Sequence, residues 1–433
     1  MDKYNLNQEQ QRAIEILKSG KNLCIIGAGG VGKSYIINTY SEMMKKKNVL
    51  RFAPTGIAAL QIAGVTLHSG FGLPRTIIDN PKRIKPKPEL YEADVIIIDE
   101  VSMIRIDVFD AIIEMVDRIN KIRKIRGLDD VQLILIGDFL QLPPVAVGRE
   151  VEILKELYPE SDGFYAFSSP RWNELNLQYV FLTQVMRQSN ETFIRALNEI
   201  RYGKTTPVSY LNKRLDAGLG DKAIVLTGLN RKAAEINQEK LDALPEREKT
   251  FLAQTEGIVN DADMCVEKIV KLKVGCRVMA LKNDQHFKNG SLGVVTDIVG
   301  QKITVVFDEN PTLPVKIGRS TWAVYAYETG EEYVDEKGIT RKHINKIVSG
   351  QYSQIPLKLA YAITIHKSQG QTFDEVKLYP YAWDNGQLYV ALSRVKSYEG
   401  LELMTPIYPK YVKTSPEVIR FYKQIAKAQK ELE

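Results

Sequence analysis

Short apolar runs alternate with helical periodicity over the first 170 residues. NLCIIG (22–27), VLRFAP (49–54), DVIIID (94–99) and QLILIG (132–137) have the pattern of strands buried on both faces of a parallel sheet. Between the first two, Ile36, Tyr40, Met43, Met44 and Lys47 recur at helical spacing and predict a crossover helix. The pattern breaks over 72–90, GLPRTIIDNPKRIKPKPEL, where prolines and Lys/Arg predict an insertion projecting from the sheet. A second alternation begins near YVFLTQ (179–184) and AIVLTG (223–228), then resumes at PLKLAYAI (356–363) and EVKLYP (375–380). Between them, VGCRVMALKND, SLGVVTDIV and KITVVFDE carry turn signals, Asn289-Gly290 among them, and predict a small antiparallel β module over 253–348. The tail KQIAKAQKELE reads as a charged helix end. The fold class is α/β.

Composition narrows the picture only a little. A chain of 433 residues holds roughly two to four domains of ordinary size. With 44% hydrophobic and 26% charged residues it is globular, and a net charge of +6 is compatible with a nucleic-acid partner without demanding one. Cys24, Cys265, Cys276 and the four histidines have neither metal-ligand spacing nor a disulfide framework, so a reducing compartment is expected. MDKYNLNQEQ lacks the apolar core of a signal peptide, and no apolar run approaches the roughly 18 residues of a membrane helix. The expectation is a soluble intracellular protein with no membrane partner.

Several segments carry chemistry. GAGGVGKS (27–34) fits G-x-x-x-x-G-K-[ST] between a strand and a helix. Its glycines let backbone N–H groups approach phosphates, Lys33 neutralises the outer phosphates and Ser34 offers a hydroxyl to Mg²⁺. VIIIDE (95–100) brings Asp99 and Glu100 to the exit of a buried strand, one to hold Mg²⁺ and one to orient the attacking water. The pair points to a nucleotide hydrolase. Gln141, in LILIGDFLQLPPV (133–145), can donate and accept as a γ-phosphate sensor must, though a strand exit stopped by Pro143-Pro144 explains it equally.

Other segments leave two readings open. Asn7 and Gln10 have the spacing of a capping box, the favoured reading, while Gln10 could also bond an adenine edge. Thr55 and Gly56 stand at a helix start that could hold a phosphate of a second ligand. Thr66, His68 and Phe71 fit base stacking or core packing. Arg187 and Arg394 are either solvated or reach a γ-phosphate from a second domain. TIHKSQG (364–370) brings His366, Lys367 and Ser368 straight out of an apolar run, which a metal, a phosphate, a nucleic acid or a plain turn would each explain.

Taken in order, GAGGVGKS, APTGIAA, IIIDEVSM, GDFLQLPPV, TIHKSQGQT and YVALSR resemble the motifs of superfamily 1 helicases. DEVSMIRIDVFDAIIEMVDRI is similar to the signature of the Pif (petite integration frequency) type in branch 1B, related to RecD-like and phage Dda-like helicases. GCRVMALKNDQHFKNGSLGVV is similar to the Src-homology-3-like barrel that such enzymes insert into their second RecA-like domain. The resemblance runs from residue 6 to about 400, with no long extension at either end. It implies a first RecA-like P-loop domain (1–65 and 84–170) with a wedge insertion (66–83). A second (171–252 and 349–433) would carry the barrel (253–348).

The implied activity is an ATP-dependent 5′-to-3′ DNA helicase and translocase on single-stranded DNA, unwinding duplex, quadruplex or RNA–DNA hybrid structures. It would serve repair, recombination or telomere maintenance. The alternative is a single-stranded-DNA-stimulated ATPase in recombination or repair without robust unwinding. ATP and Mg²⁺ are the implied cofactors, single-stranded DNA and duplex junctions the partners, and a monomer the basic unit. The implied location is a cytoplasmic nucleoid, or the nucleus in a eukaryote.

By the same resemblance, Gln10, Gly27, Gly29, Gly30, Val31, Gly32, Lys33, Ser34 and Gly370 line the nucleotide. Lys33, Asp99, Glu100, Gln141, Arg187 and Arg394 serve hydrolysis, with Ser34 and Asp99 on the metal. Thr55, Gly56, Thr66, His68, Phe71, Thr364, His366, Lys367 and Ser368 contact single-stranded DNA.

Overall fold

The computed structural model describes residues 6–44, 47–184, 190–260, 264–335 and 338–432. The chain divides into two compact units, Met1–Arg187 with Tyr325–Ile347 and Thr414–Glu433, and Gln188–Val324 with Val348–Lys413.

Unit one is built on a six-stranded parallel sheet. Its strands are β1 (Leu23–Gly27), β2 (Val49–Ala53), β3 (Val65–Thr66), β4 (Val95–Ile98), β5 (Gln132–Gly137) and β6 (Gln178–Leu182), in the order β3-β2-β4-β5-β1-β6. Every residue of β1, β4 and β5 is buried. Alternate side chains explain why: Cys24, Ile26, Ile96, Ile98, Leu133 and Leu135 enter one core cluster. Leu23, Ile25, Val95, Ile97, Ile134 and Ile136 enter another. A strand coated on both faces needs apolar residues at every position, hence the unbroken runs.

YVFLTQ corrects the sequence pattern. It does not open the second alternation: β6 pairs parallel with β1, from Leu23↔Gln178 to Gly27↔Leu182. Asn22 ties the seam, accepting from Leu133 N (2.7 Å) and donating to Leu175 O (2.9 Å). The segment 72–90 does not project either. Leu73, Ile78 and Leu90 join the unit-one core. Ile78 N donates to Asp107 Oδ2 (2.9 Å), and Arg118 donates to Ile84 O (2.6 Å) from the helix Ile106–Ile125. Its apolar residues need cover, and that helix supplies it.

Two distant stretches complete unit one. Ser320–Val334 and Thr340–Gln354 are neighbouring 15-residue strands of a long ribbon, whose part from Tyr325 to Ile347 belongs here. Arg51 N donates to Tyr327 Oη (3.2 Å). Arg341 Nη2 meets Asp94 Oδ1 at 2.7 Å, where Arg123 also pairs (3.2 Å), while Arg126 pairs with Glu92 (2.8 Å). Buried cations and carboxylates persist only when matched in this way. The C-terminal helix Pro416–Leu432, which the sequence assigns to the second RecA-like domain, is also in this unit. Phe421 stacks on Phe167 (centroids 4.1 Å apart, 4° between planes) and sets its edge against Phe139 and Trp172.

Unit two has a four-stranded parallel sheet, in the order Ala362–Thr364, Ile224–Thr227, Val376–Leu378, Leu401–Leu403. Beside it is a five-stranded antiparallel sheet, in the order Pro314–Ile317, Lys302–Phe307, Leu292–Val299, Arg277–Ala280, Leu357–Leu359. PLKLAYAI is therefore not one strand. Leu357–Leu359 pairs antiparallel with Arg277–Ala280, and Ala362–Thr364 pairs parallel with Ile224–Thr227. Asn237 fixes the switch, its Oδ1 accepting from Tyr361 N (3.1 Å) and Ala362 N (2.9 Å). Among the described residues no helix is long and apolar enough to cross a membrane.

Candidate nucleotide site and nucleic-acid interface

The predicted nucleotide residues of unit one gather at the carboxyl ends of the neighbouring strands β4, β5 and β1. β1 ends at Gly27, and the loop turns through Gly30 (φ +82°) and Gly32 (φ +88°) into the helix Lys33–Met43. These left-handed positions suit glycine, and they leave backbone N–H groups open to an anion. A Cβ on Gly32 would come within 2.6 Å of Gln10 Nε2. Lys33 Nζ donates to Gly27 O (2.8 Å) and Ala28 O (2.9 Å), so its ammonium sits over the loop.

Gln10 reconciles its two readings. The capping box forms: Asn7 Oδ1 accepts from Gln10 N (2.9 Å), and Gln10 Oε1 accepts from Asn7 N (3.1 Å). That leaves Nε2 of the same amide beside the phosphate loop.

Asp99 follows β4 and is buried. Its Oδ1 accepts from Glu100 N (2.9 Å). Burial raises its pKa above the ordinary carboxylate value, against the pull of the Lys33 ammonium. Glu100 has φ +51°, a conformation that costs a non-glycine residue roughly 1–3 kcal/mol and survives where its surroundings over-determine it. Beyond β5, Asp138 is fully buried, and Gln141 Nε2 donates to its Oδ2 (3.2 Å). Donor loop, buried carboxylate and exposed Ser34 hydroxyl form a set that suits a magnesium nucleotide.

Sequence reasoning missed Tyr422. From the C-terminal helix its Oη accepts from Phe139 N (3.0 Å) and donates to Asp138 Oδ1 (3.3 Å), bracing the carboxylate that holds Gln141. The two residues are 284 positions apart, and no local pattern marks the pair.

The predicted DNA residues of unit one follow β2 and β3 at the same sheet edge. Thr55 Oγ1 caps the helix Gly56–Gln61 by accepting from Ala58 N (3.2 Å), and Thr66 and His68 are half-buried. Phe71 requires correction: it is fully buried, 4.7 Å from the ring of Phe52, and has no face for a base. The core-packing reading wins because Gly70 brings the segment so close that a Cβ there would strike Phe52.

In unit two, TIHKSQG leaves the strand Ala362–Thr364 in a 3₁₀ turn over His366–Ser368. Ser368 is fully buried and donates to Ile365 O (2.7 Å), while Thr364 Oγ1 accepts from Lys367 N (3.4 Å). These hydroxyls hold the turn, which corrects their assignment as strand contacts. Lys367 is exposed, and His366 is half-buried. Burial lowers the His366 pKa from its ordinary value, opposed by the Asp384 carboxylate. Gly370 is left-handed (φ +79°). Beside it, Nε2 and Oε1 of Gln369 are buried without a hydrogen bond among the described residues, a demand a ligand would answer. Arg394 is buried, its guanidinium donating to Val390 O (2.9 Å), Gln371 O (3.3 Å) and Ser393 Oγ (2.7 Å). Arg187 lies outside the described residues.

A phosphate loop, a buried Asp99 followed by the half-buried Glu100, and a glutamine at adjoining strand ends define a P-loop ATPase of the RecA-like class. The model of the family described as PIF1-like helicase matches residues 5–209. The chain is 31% identical to the ATP-dependent DNA helicase Pif1 of Bdellovibrio bacteriovorus, over 97% of this chain and 92% of that protein. It is similar to Bacteroides sp Pif1 in complex with ADP-AlF4, with a TM-score of 0.81 and 31% identity over 98% of this chain and 97% of the other. For Bacteroides Pif1 bound to single-stranded DNA the TM-score is 0.68, with 33% identity over 97% and 96%. The chain belongs to the PIF1-like helicase family.

Replacing Tyr422 with Phe removes one partner each from Asp138 and Phe139 N in a buried setting. Stability should fall by about 1 kcal/mol or more, read as a lower urea midpoint with an unchanged slope.

Proposed function

We propose that this chain couples ATP hydrolysis at the sheet edge of unit one to 5′-to-3′ movement along one strand of DNA. As a member of its family the chain is an ATP-dependent DNA helicase. One observation carries the division of labour: the phosphate loop, Asp99–Glu100 and Gln141 leave adjacent parallel strands, and Thr55 and Thr66 continue the same edge.

Backbone N–H groups at Gly30 and Gly32, with Lys33, bind the ATP phosphates, and Gln10 Nε2 is the adenine contact. Ser34 and Asp99 would hold Mg²⁺, whose charge, when bound, offsets that of the phosphates. Glu100 orients the attacking water, and Gln141, held by Asp138, senses the γ-phosphate. Arg187 and Arg394 are assigned as the phosphate-directed cations, and Gly370 as a nucleotide contact. On the strand side, Thr55, Gly56, Thr66 and His68 serve in unit one, and His366 and Lys367 in unit two. Contacts to backbone phosphates leave the grip indifferent to sequence. Opening a base-pair step costs about 1.4 kcal/mol of stacking, well within reach of one ATP cycle. The polarity rests on resemblance alone, and the assigned basic unit is the monomer.

Glu100→Gln should bind ATP and DNA normally while turnover stops; near-normal hydrolysis would remove Glu100 from its role. Tailed duplexes should unwind from a 5′ single-stranded tail, and dependence on a 3′ tail would reverse the polarity. Lys367→Ala should weaken oligonucleotide binding and reduce the salt slope by about 0.7. The depressed His366 pKa keeps its imidazole neutral at pH 7, so His366→Ala should weaken binding there with the slope unchanged. As pH falls through that lowered pKa the imidazole gains charge, and its share of the slope should emerge.

A further inference from the structure

An exposed aromatic patch in unit two has no part in the reading above. The loop after the strand Val376–Leu378 carries Tyr381 and Trp383, 48% and 44% exposed, and the 3₁₀ turn Pro409–Tyr411 follows Tyr408, 49% exposed. The rings are linked: Tyr411 lies 5.7 Å from both Tyr381 and Tyr408, edge to face. Lys410 Nζ sits 5.6 Å and 5.4 Å from the rings of Tyr408 and Tyr411. Trp383 is fixed at its rim, Nε1 donating to Gly228 O (3.0 Å) and its carbonyl accepting from Lys413 Nζ (2.9 Å). Its ring faces the imidazole of His366 (centroids 6.0 Å apart, 20° between planes). Asp384, with its pKa raised by burial, is the acidic neighbour.

Exposed rings anchored at their edges, with ammonium groups alongside, are the makings of a base-stacking surface. Soluble proteins seldom leave such rings together in water without a partner. We propose that Trp383, Tyr381 and Tyr408 form a stacking platform for bases of single-stranded nucleic acid, continuing the path that leaves His366 and Lys367. The platform rests on the assignment of those two residues to the strand. Lys410 and Lys413 supply charge along its margin, and the exits of Ile224–Thr227 and Val376–Leu378 hold it at the sheet edge shared with the TIHKSQG turn. Stacking accepts any base, as movement along arbitrary sequence requires.

The full chain carries its own probe. Of its three tryptophans, Trp172 and Trp322 are 2% and 6% exposed, so quenching of emission by a bound strand reports Trp383. Oligothymidine should quench wild-type emission as anisotropy registers binding. Trp383→Phe should lose most of that quench and keep affinity. Tyr408→Ala, an exposed position unlike the anchored Trp383, should weaken oligothymidine binding roughly tenfold. An abasic strand of equal length should bind that variant as it binds wild type. Wild-type binding without quench overturns the platform alone. Equal losses on both strands overturn it in favour of a charge or folding effect. Full affinity of Tyr408→Ala for both strands overturns it and leaves the patch to an apolar protein segment. No binding by wild type removes the DNA assignment of His366 and Lys367, and the platform with it.

Discussion

Parallel pairing of β4, β5 and β1 governs the chemistry of unit one. A parallel neighbour demands a crossover, and every crossover returns the chain to the same end of the sheet. All six carboxyl ends therefore open on one edge, where ligands of such sheets bind. Gln141 lies 42 residues beyond Asp99 and 107 beyond Ser34 in sequence, yet neighbouring strands deliver them together. The sheet is clamped by apolar clusters on both faces, so the loops leave a support that does not yield. That rigidity is what lets Glu100 keep a left-handed backbone.

At both ends of the sheet, polar groups of unit one are matched by partners from far along the chain. At the carboxyl edge Asp138 leans on Tyr422, and at the opposite end of β4 Asp94 pairs with Arg341. A buried carboxylate without such a match would take up a proton or pull in water. Gln141, through Asp138, thus stands on a hydrogen bond from a helix that carries none of the sequence motifs.

What could be read from sequence follows from how local each cause is. Phosphate chemistry dictates residue types at fixed spacing, so GAGGVGKS and VIIIDE were legible. Strands buried on both faces announce themselves as unbroken apolar runs, as β1, β4 and β5 do. Partner choice is not local. QYVFL reads alike in either parallel sheet, and only pairing with β1 decides it. LKLAYAI looks continuous because its two halves are equally apolar, while Asn237 imposes the switch from 124 residues away. Phe71 and Ser368 carried side chains compatible with either role, and burial settled them. Tyr422 gave no signal beyond a place on a helix, and the stretch Tyr325–Ile347 gave none of its membership in unit one.

That membership bears on how the molecule is made. A ribosome delivers the phosphate loop early, the Tyr325–Ile347 stretch after most of unit two, and the helix Pro416–Leu432 last. Until then the rings of Phe139, Phe167 and Trp172 lack the cover of Phe421, and Asp138 lacks Tyr422. The nascent chain carries a nucleotide motif before it carries the brace beneath it. Synthesis thereby imposes an order on assembly, in which unit one matures only after unit two has been strung between its parts, and exposed aromatic surface during that interval is the natural cargo of a chaperone.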